Sequence, residues 1–177
     1  MLLLLTSCFS KAQIVINEYS FLKGTEDIIG FESDWVEVFN SSNNVIDLSI
    51  YYLSDNIENP TKWNLPSINL NPNSRITFYC SGKDTIHFDN NNSSYHTNFK
   101  LSASENLSIS TLNETIESLV MDSNLYFGLS HGRANDGAES WCFFDTPTPN
   151  SSNNFSICYS GITPSPNISL ESGWYAE

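Results

Sequence analysis

Short hydrophobic runs alternate along the chain with clusters of Asn and Ser. The runs are rich in β-branched and aromatic residues, which favour strands, whereas Asn, Ser, Gly and Pro between them favour turns. The predicted strands are Ile14 to Tyr19, Trp35 to Asn40, Val45 to Leu48, Tyr51 to Ser54, Arg75 to Cys80, Leu107 to Thr111 and Trp141 to Phe144. Several short strands in a chain of this size predict an all-β fold of the sandwich type.

One segment fits two secondary structures. Apolar residues at Leu112, Ile116, Leu119 and Val120 recur at helical spacing, with no Gly or Pro between them. Thr115, Ile116 and Val120 nevertheless favour a strand because they are β-branched, and Asn113 can adopt the left-handed backbone that a hairpin turn needs. We interpret the segment as a strand, with a helix as the alternative.

The strand around Trp35 is predicted to lie inside a sheet. Trp35 and Phe39 alternate with Val36 and Val38, so both of its faces are apolar, and Glu37 is the exception. A buried carboxylate needs partners. We therefore expect Asn17, Glu18, Glu37 and Asn40 to bond one another or loop backbone amides, a structural role, with a cation site as the alternative.

Several sequence blocks follow one another in an order typical of a known family. They are Ile14-Val15-Ile16-Asn17-Glu18, Asp34-Trp35-Val36-Glu37-Val38-Phe39-Asn40, Val45-Ile46-Asp47-Leu48-Ser49, Tyr51-Tyr52-Leu53-Ser54-Asp55, Asn59-Pro60-Thr61-Lys62-Trp63, Cys80-Ser81-Gly82-Lys83-Asp84, His96-Thr97-Asn98-Phe99-Lys100-Leu101-Ser102, Gly132-Arg133, Asp136-Gly137, Trp141 and Phe144-Asp145-Thr146-Pro147-Thr148-Pro149-Asn150. In these blocks the chain resembles the bacterial branch of the lamin tail domain family. The resemblance implies an immunoglobulin-like β-sandwich over residues 14–154. It also implies neighbouring nucleases, CotH-type kinase-like domains or adhesion modules in larger exported proteins.

Within these blocks, the remaining residues have predicted structural roles. Trp63 follows a turn and is expected in the core, Phe99 is expected to point inward from a tight loop, and Arg133 is expected to pair with a nearby carboxylate on the surface. Trp35, Phe39 and Trp141 are expected as structural aromatic residues.

The two ends of the chain differ from its middle. Residues 1–13 carry a Leu run followed by small residues, which is typical of a secretory signal peptide, although the charged leader is missing and the peptide is short. A run this short cannot span a bilayer. The alternative is lipoprotein processing, with Cys8 as a lipid anchor.

Residues 155–177 have linker composition and then resemble the start of a chitobiase C-terminal-like β-module.

Without the leader, an odd number of cysteines remains. Cys80 and Cys142 lie in apolar strand-like runs, and Cys158 lies in the linker. The first two are interpreted as small buried hydrophobic residues, with a Cys80 to Cys142 disulfide as the alternative. No C-x-x-C spacing supports a structural zinc site.

The composition is strongly acidic. With 7 Lys and Arg against 20 Asp and Glu, the formal net charge is −13, so binding to nucleic acid or anionic lipid is not expected. Hydrophobic residues at 40% exclude a disordered acidic tail. Glu32, Asp34, Asp84 and Asp89 are hard oxygen donors that suit Ca²⁺, but without EF-hand spacing we expect solubilising charge and no cofactor.

Catalytic patterns are weak. Gly128-Leu129-Ser130-His131-Gly132 matches the G-x-S-x-G pattern, but a turn follows it rather than a helix, and no His follows in the required order. His87, His96 and His131 could bind a metal with Asp84 or Asp89, yet they share no short motif. The chain is therefore not expected to be an enzyme.

Together, these features predict a secreted or cell-surface module for binding, adhesion or spacing, whose partner is an unknown protein or cell-surface ligand. The alternative is an accessory domain of a larger secreted enzyme. A carbohydrate-binding sandwich would need exposed aromatic residues, for which Tyr51, Tyr52, Tyr95 and Tyr126 are candidates, although we expect them to be partly buried.

Overall fold

A computed structural model describes residues 13–125 and 127–160 of the chain. The strands are β1 Ile14–Glu26, β2 Glu32–Asn40, β3 Ile46–Asp47, β4 Tyr52–Ser54, β5 Trp63–Asn64, β6 Asn69–Leu70, β7 Arg75–Cys80, β8 Thr85–Asp89, β9 Asn92–His96, β10 Asn106–Ser110, β11 Thr115–Val120, β12 Ser130–Arg133 and β13 Trp141–Phe144. Two short 3-10 helices span Leu48–Ile50 and Asn153–Phe155. Within these residues there is no helix long and apolar enough to cross a membrane.

The strands form two main sheets. The larger has the order β13-β12-β1-β2-β7-β9-β8, and the smaller has the order β11-β10-β4-β5. All neighbouring pairs are antiparallel except β7 and β9. The core combines buried residues of the larger sheet, such as Ile16 and Val36, with Leu53 and Ile109 of the smaller sheet. The fold is an all-β, immunoglobulin-like sandwich, as the sequence predicts.

Strand β2 is the middle strand of the larger sheet and is buried on both faces. Val36 and Val38 point into the core between the sheets. Trp35, Glu37 and Phe39 alternate with them and point to the outer face, where they are also buried. The C-terminal segment, residues 145–160, covers part of this outer face, since Pro147 and Pro149 line a depression together with Trp35.

The segment with two interpretations is a strand. Residues Thr115–Val120 form β11, which pairs with β10 from Asn106 opposite Val120 to Ser110 opposite Thr115. Tertiary pairing therefore overrides the helical spacing of the apolar residues. Residues 85–96, which are not among the predicted strands, form the β8–β9 hairpin, with the left-handed Asn90 between the two strands.

The alternative of a Cys80 to Cys142 disulfide is wrong. Cys142 in β13 is bonded to Cys158, with a Cα–Cα distance of 5.5 Å, and Cys80 in β7 is a buried free thiol. Strands β13 and β7 are four positions apart in the sheet. At about 4.8 Å per position they lie roughly 19 Å apart, whereas a disulfide requires Cα atoms within about 7 Å.

The disulfide joins the last described residues to the sheet edge. Phe143 and Tyr159 exchange backbone hydrogen bonds of 2.9 and 3.1 Å, so the chain returns alongside β13 after covering the outer face. Residues 1–12 of the predicted signal peptide and residues 161–177 of the predicted linker and second module lie outside the described residues.

Candidate functional site

A bulge in β1 brings two carboxylates together on the outer face of the larger sheet. The register between β1 and β2 shifts between Ile16 and Glu18, so Glu18 lies directly opposite Glu37, and both are fully buried. Glu37 accepts hydrogen bonds from Asn17 Nδ2 at 2.8 Å and from the Asn150 amide at 2.7 Å. The pair is therefore covered by residues from the C-terminal segment.

Glu18 is bonded to the same segment. It accepts hydrogen bonds from the Ser130 hydroxyl, from the Thr148 amide at 3.0 Å and from the Thr148 hydroxyl at 2.5 Å. Burial raises the pKa of Glu18. Burial is the main cause that raises the pKa of Glu37 to about 8, and the charge of Glu18 raises it further. The hydrogen bonds from Asn17 and Asn150 act in the opposite direction.

Asp136 extends this polar network. Its carboxylate accepts hydrogen bonds from Asn17 Nδ2 at 2.9 Å, from Arg75 Nη2 at 2.5 Å and from the Ser152 hydroxyl at 2.6 Å. Asn40 lies at the far end of β2, and its side-chain amide donates to the backbone carbonyls of Asn44, Leu70 and Asn71. Since these carboxylate oxygens accept bonds from the protein itself, the network fixes loops and the C-terminal segment to the sheet.

A second polar cluster lies on the outer face near the opposite edge of the larger sheet. It contains Asp27, His87 and His96, whose potential ligand atoms all lie within 4.8 Å of one another. Among the described residues, no other group of three or more His, Cys, Asp or Glu side chains comes so close. His87 Nδ1 and His96 Nε2 both contact the same oxygen, Asp27 Oδ2, the latter at 3.0 Å.

The loop between β1 and β2 holds Asp27 in position. Asp27 Oδ1 accepts hydrogen bonds from the amides of Ile29 at 2.9 Å and Phe31 at 2.8 Å, and Gly30 makes the turn possible with φ of 80°. Burial would raise the pKa of Asp27, but the hydrogen bonds from Phe31, His87, Ile29 and His96 lower it to about 2. Asp27 is therefore an ionised, buried carboxylate.

The β8–β9 hairpin supplies both imidazoles. His96 lies opposite Thr85, and His87 lies two residues further along β8, so the two rings are diagonal neighbours with centroids 4.3 Å apart. His96 is buried and stacks on Tyr79, whereas the His87 side chain is 19% exposed. Burial lowers the pKa of His96.

Sequence reasoning missed this cluster because Asp27 precedes His87 by 60 residues and His96 by 69. The metal site that the sequence allows but does not favour combines His87, His96 and His131 with Asp84 or Asp89. His131 lies elsewhere, beside the Tyr19 hydroxyl at 2.9 Å. A hairpin over residues 85–96 with its turn at Asn90 would have been a helpful signal. Side chains alternate between the two faces along each strand, and this pairing places both imidazoles on the same face.

Comparison with known proteins identifies the family. A family model described as Lamin Tail Domain matches residues 9–128, about two thirds of the chain. The chain belongs to the lamin tail domain family. No curated protein and no solved structure gives a significant match. In this lamin tail domain, strands β12 and β13 lie beyond the matched residues, yet they complete the larger sheet.

The predicted structural aromatic residues of the lamin tail domain lie in or against its packed interior. Trp35, Phe39, Trp63 and Phe99 are buried, and Trp63 contacts Phe78 edge to face with centroids 5.5 Å apart. Trp141 is half-buried and packs against the two sheets' shared core.

Arg133 differs from the expected surface pair. Its side chain is only 8% exposed and donates to the Ile16 carbonyl at 2.7 Å, to the Ala138 carbonyl and to Glu117. Glu117 belongs to β11 in the smaller sheet, so this pair connects the two sheets across their edge. Burial raises the pKa of Glu117.

The four calcium candidates do not form a cluster among the described residues. Asp34 accepts a hydrogen bond from the Leu101 amide at 3.2 Å, Asp84 accepts one from Trp63 Nε1 at 2.9 Å, and Asp89 accepts one from Asn90. Glu32 lies at the start of β2, next to Gly24. The geometry therefore gives a shared cation site for these four residues no support.

The remaining candidates have ordinary structural positions. Ser130 begins strand β12 and donates its hydroxyl proton to Glu18, so it does not lie at a strand-to-helix elbow. Tyr51, Tyr52 and Tyr95 are half-buried. Tyr126 lies outside the described residues.

Lamin tail domains are immunoglobulin-like structural domains that are not typically catalytic.

Proposed function

We propose that this lamin tail domain is an exported, non-catalytic module that acts in binding, adhesion or spacing at the cell surface or outside the cell. The single observation that carries the export part is the Cys142–Cys158 disulfide. Disulfides persist in oxidising compartments and are rare in reducing ones. The Leu run at residues 2–5 supports the same compartment.

The non-catalytic part is supported by how the buried polar groups are used. Glu18, Glu37 and Asp136 accept hydrogen bonds from the protein's own amides and hydroxyls, and Ser130 is bonded to Glu18. A nucleophile needs a base beside it and a reacting atom within reach. Ser130 has the Glu18 carboxylate beside it, but both side chains are fully buried, so no substrate atom can reach them. These groups instead hold the C-terminal segment against the sheet.

The surface chemistry supports a module that stays soluble at high local concentration. A net charge of −13 on a chain of 177 residues makes copies repel one another. The same charge disfavours nucleic acid as a partner. We propose a protein or a cell-surface ligand as the partner class.

Export can be tested by expressing the whole chain from Met1 in a bacterium and separating the cytoplasm from the exported fraction. We expect the exported protein to have lost its leader, by mass spectrometry, and to expose one thiol after unfolding, that of Cys80. A chain that stays in the cytoplasm with Met1 present and all four thiols free would contradict the proposal.

The same experiment separates free secretion from lipid anchoring. We propose ordinary secretion, so Cys8→Ser should leave both the amount and the solubility of the exported protein unchanged. Membrane association that is lost in Cys8→Ser would instead indicate that the chain is an acylated lipoprotein.

A further inference from the structure

We propose that Asp27, His87 and His96 form a binding site for one divalent transition-metal ion of the Zn²⁺ type. The site lies on the outer face of the larger sheet, where the β1–β2 loop meets the β8–β9 hairpin. The β1–β2 loop and strands β8 and β9 each contribute one ligand atom, and these atoms lie within 4.8 Å of one another.

The spacing of the three atoms suits a small cation. Ligand atoms about 2.0 to 2.1 Å from a tetrahedral Zn²⁺ are separated from one another by roughly 3.3 Å. His96 Nε2 is 3.0 Å from Asp27 Oδ2, and His87 Nδ1 contacts the same oxygen. Small side-chain adjustments would therefore admit a metal between the three atoms, with no change in the backbone.

The ligands are also held by outer contacts, as in established metal sites, where a second shell orients the first. Asp27 Oδ1 is fixed by the amides of Ile29 and Phe31, which leaves Oδ2 directed at the imidazoles. His96 Nδ1 lies 3.1 Å from the Ser81 hydroxyl, which leaves Nε2 directed at the site. Two of the three ligands are thus oriented before a metal binds.

The surroundings combine a closed interior with one open side. Phe31 lies edge-on to both imidazole rings, with centroids 6.0 and 5.8 Å away, and Tyr79 stacks on His96 at 5.1 Å. Asp27 and His96 side chains are fully buried, whereas His87 is 19% exposed. A metal would enter past His87, and a water or a ligand from outside would complete its coordination on that side.

The donor set selects the class of metal. Imidazole nitrogen atoms suit Zn²⁺, Cu²⁺, Ni²⁺ and Fe²⁺. Ca²⁺ instead takes about six to eight oxygen ligands, and Mg²⁺ takes about six. One carboxylate and two imidazoles leave Ca²⁺ undercoordinated. The ammonium group of Lys83, 3.4 Å from the centre of the Phe31 ring, adds positive charge nearby and will lower the affinity without removing a ligand.

Titration calorimetry of the tag-free, EDTA-treated full chain with ZnCl₂ tests the proposal. We expect one Zn²⁺ per chain, and at least a tenfold weaker affinity in His87→Gln and in Asp27→Asn. Asn at position 27 can still accept the two backbone hydrogen bonds, so the loop should remain intact. His131→Gln is the matched control, because His131 is the histidine outside the cluster, and its affinity should equal that of the wild type.

A second measurement needs no variant and so does not depend on their folding. In imidazole ¹⁵N spectra of the wild type, Zn²⁺ should shift the signals of His87 and His96 and leave those of His131 in place, whereas CaCl₂ should shift none. Absence of Zn²⁺ binding, or binding that is equal in His87→Gln, would overturn the proposal. The cluster would then be a hydrogen-bonded Asp with two imidazole donors.

Discussion

Glu18 and Glu37 lie directly opposite each other on neighbouring inner strands of the larger sheet, and both side chains are fully buried. Like charges opposite each other destabilise a sheet. The pair is tolerated because the C-terminal segment supplies donors to both, Thr148 to Glu18 and Asn150 to Glu37. This segment is thereby coupled to the protonation state of the pair.

The stability of the domain should respond to pH through Glu37. Its pKa is raised from 4.5 to about 8, so between these values the folded state holds a proton that the unfolded state has lost. The contribution of Glu37 to the free energy of unfolding is complete below about pH 4.5 and is lost as pH rises through about 8. Between these values the free energy of unfolding falls by up to about 1.4 kcal/mol per pH unit.

Urea unfolding of the wild type and of Glu37→Gln from pH 5 to pH 9 isolates this contribution, because the other titrating groups are common to both. The free energy of unfolding of the variant should rise relative to the wild type across this range. A difference that is constant with pH would show that Glu37 is already ionised in the folded protein.

The largely buried pair between Arg133 and Glu117, whose side chains are 8% and 17% exposed, should contribute more to stability than the pair between Lys62 and Asp55, whose side chains are 28% and 14% exposed. Arg133→Met removes the charge that balances Glu117 and the donor to the Ile16 and Ala138 carbonyls, so we expect a loss of about 3 kcal/mol, the lower end of the range for breaking a buried pair. Lys62→Met, which breaks the more exposed pair with Asp55, should cost about 0 to 1 kcal/mol. Equal losses in chemical denaturation would contradict the role of Arg133 between the sheets.

Gly132 provides the space that Glu18 occupies. A Cβ at this position would lie 2.9 Å from Glu18 Cγ and from Phe144 Cε2, and 3.0 Å from the Asn17 carbonyl oxygen. Gly132→Ala should therefore lower the free energy of unfolding by roughly 1 to 3 kcal/mol, as overpacking does. In Gly24→Ala the new Cβ meets the exposed side chain of Glu32, which can move, so thermal unfolding should change much less.

The disulfide should stabilise the C-terminal segment in particular. Cys142 and Cys158 are 16 residues apart, and closing a loop of this length contributes about 3 kcal/mol in the chain-entropy model. Cys158→Ser should lose about this amount and should increase hydrogen exchange in residues 145–160 before the rest of the sandwich. Reductant should reproduce the effect in Cys80→Ala, which keeps the disulfide, and should have no further effect in Cys158→Ser.

Part of the candidate site follows from the sequence. The apolar pattern around Trp35 predicts a strand buried on both faces, and from this it follows that Glu37 needs partners. The partner Asn17 lies among the predicted residues. Loop amides are expected as partners, but the sequence does not identify those of Thr148 and Asn150, nor the Asp136 carboxylate, because loops position them and a bulge at Asn17 sets the register of Glu18. Neither leaves a periodic signal in the sequence.

By itself, the sequence determined the all-β class, most of the core strands, the middle position of β2 and the lamin tail family, because these depend on local pattern and on blocks of neighbouring residues. Only the tertiary structure decided that Cys142 pairs with Cys158 and that Asp27 meets His87 and His96. Both depend on strand order and on the return of distant loops. The free energy that fixes strand order comes from packing between residues far apart in the chain, and no local spacing encodes it.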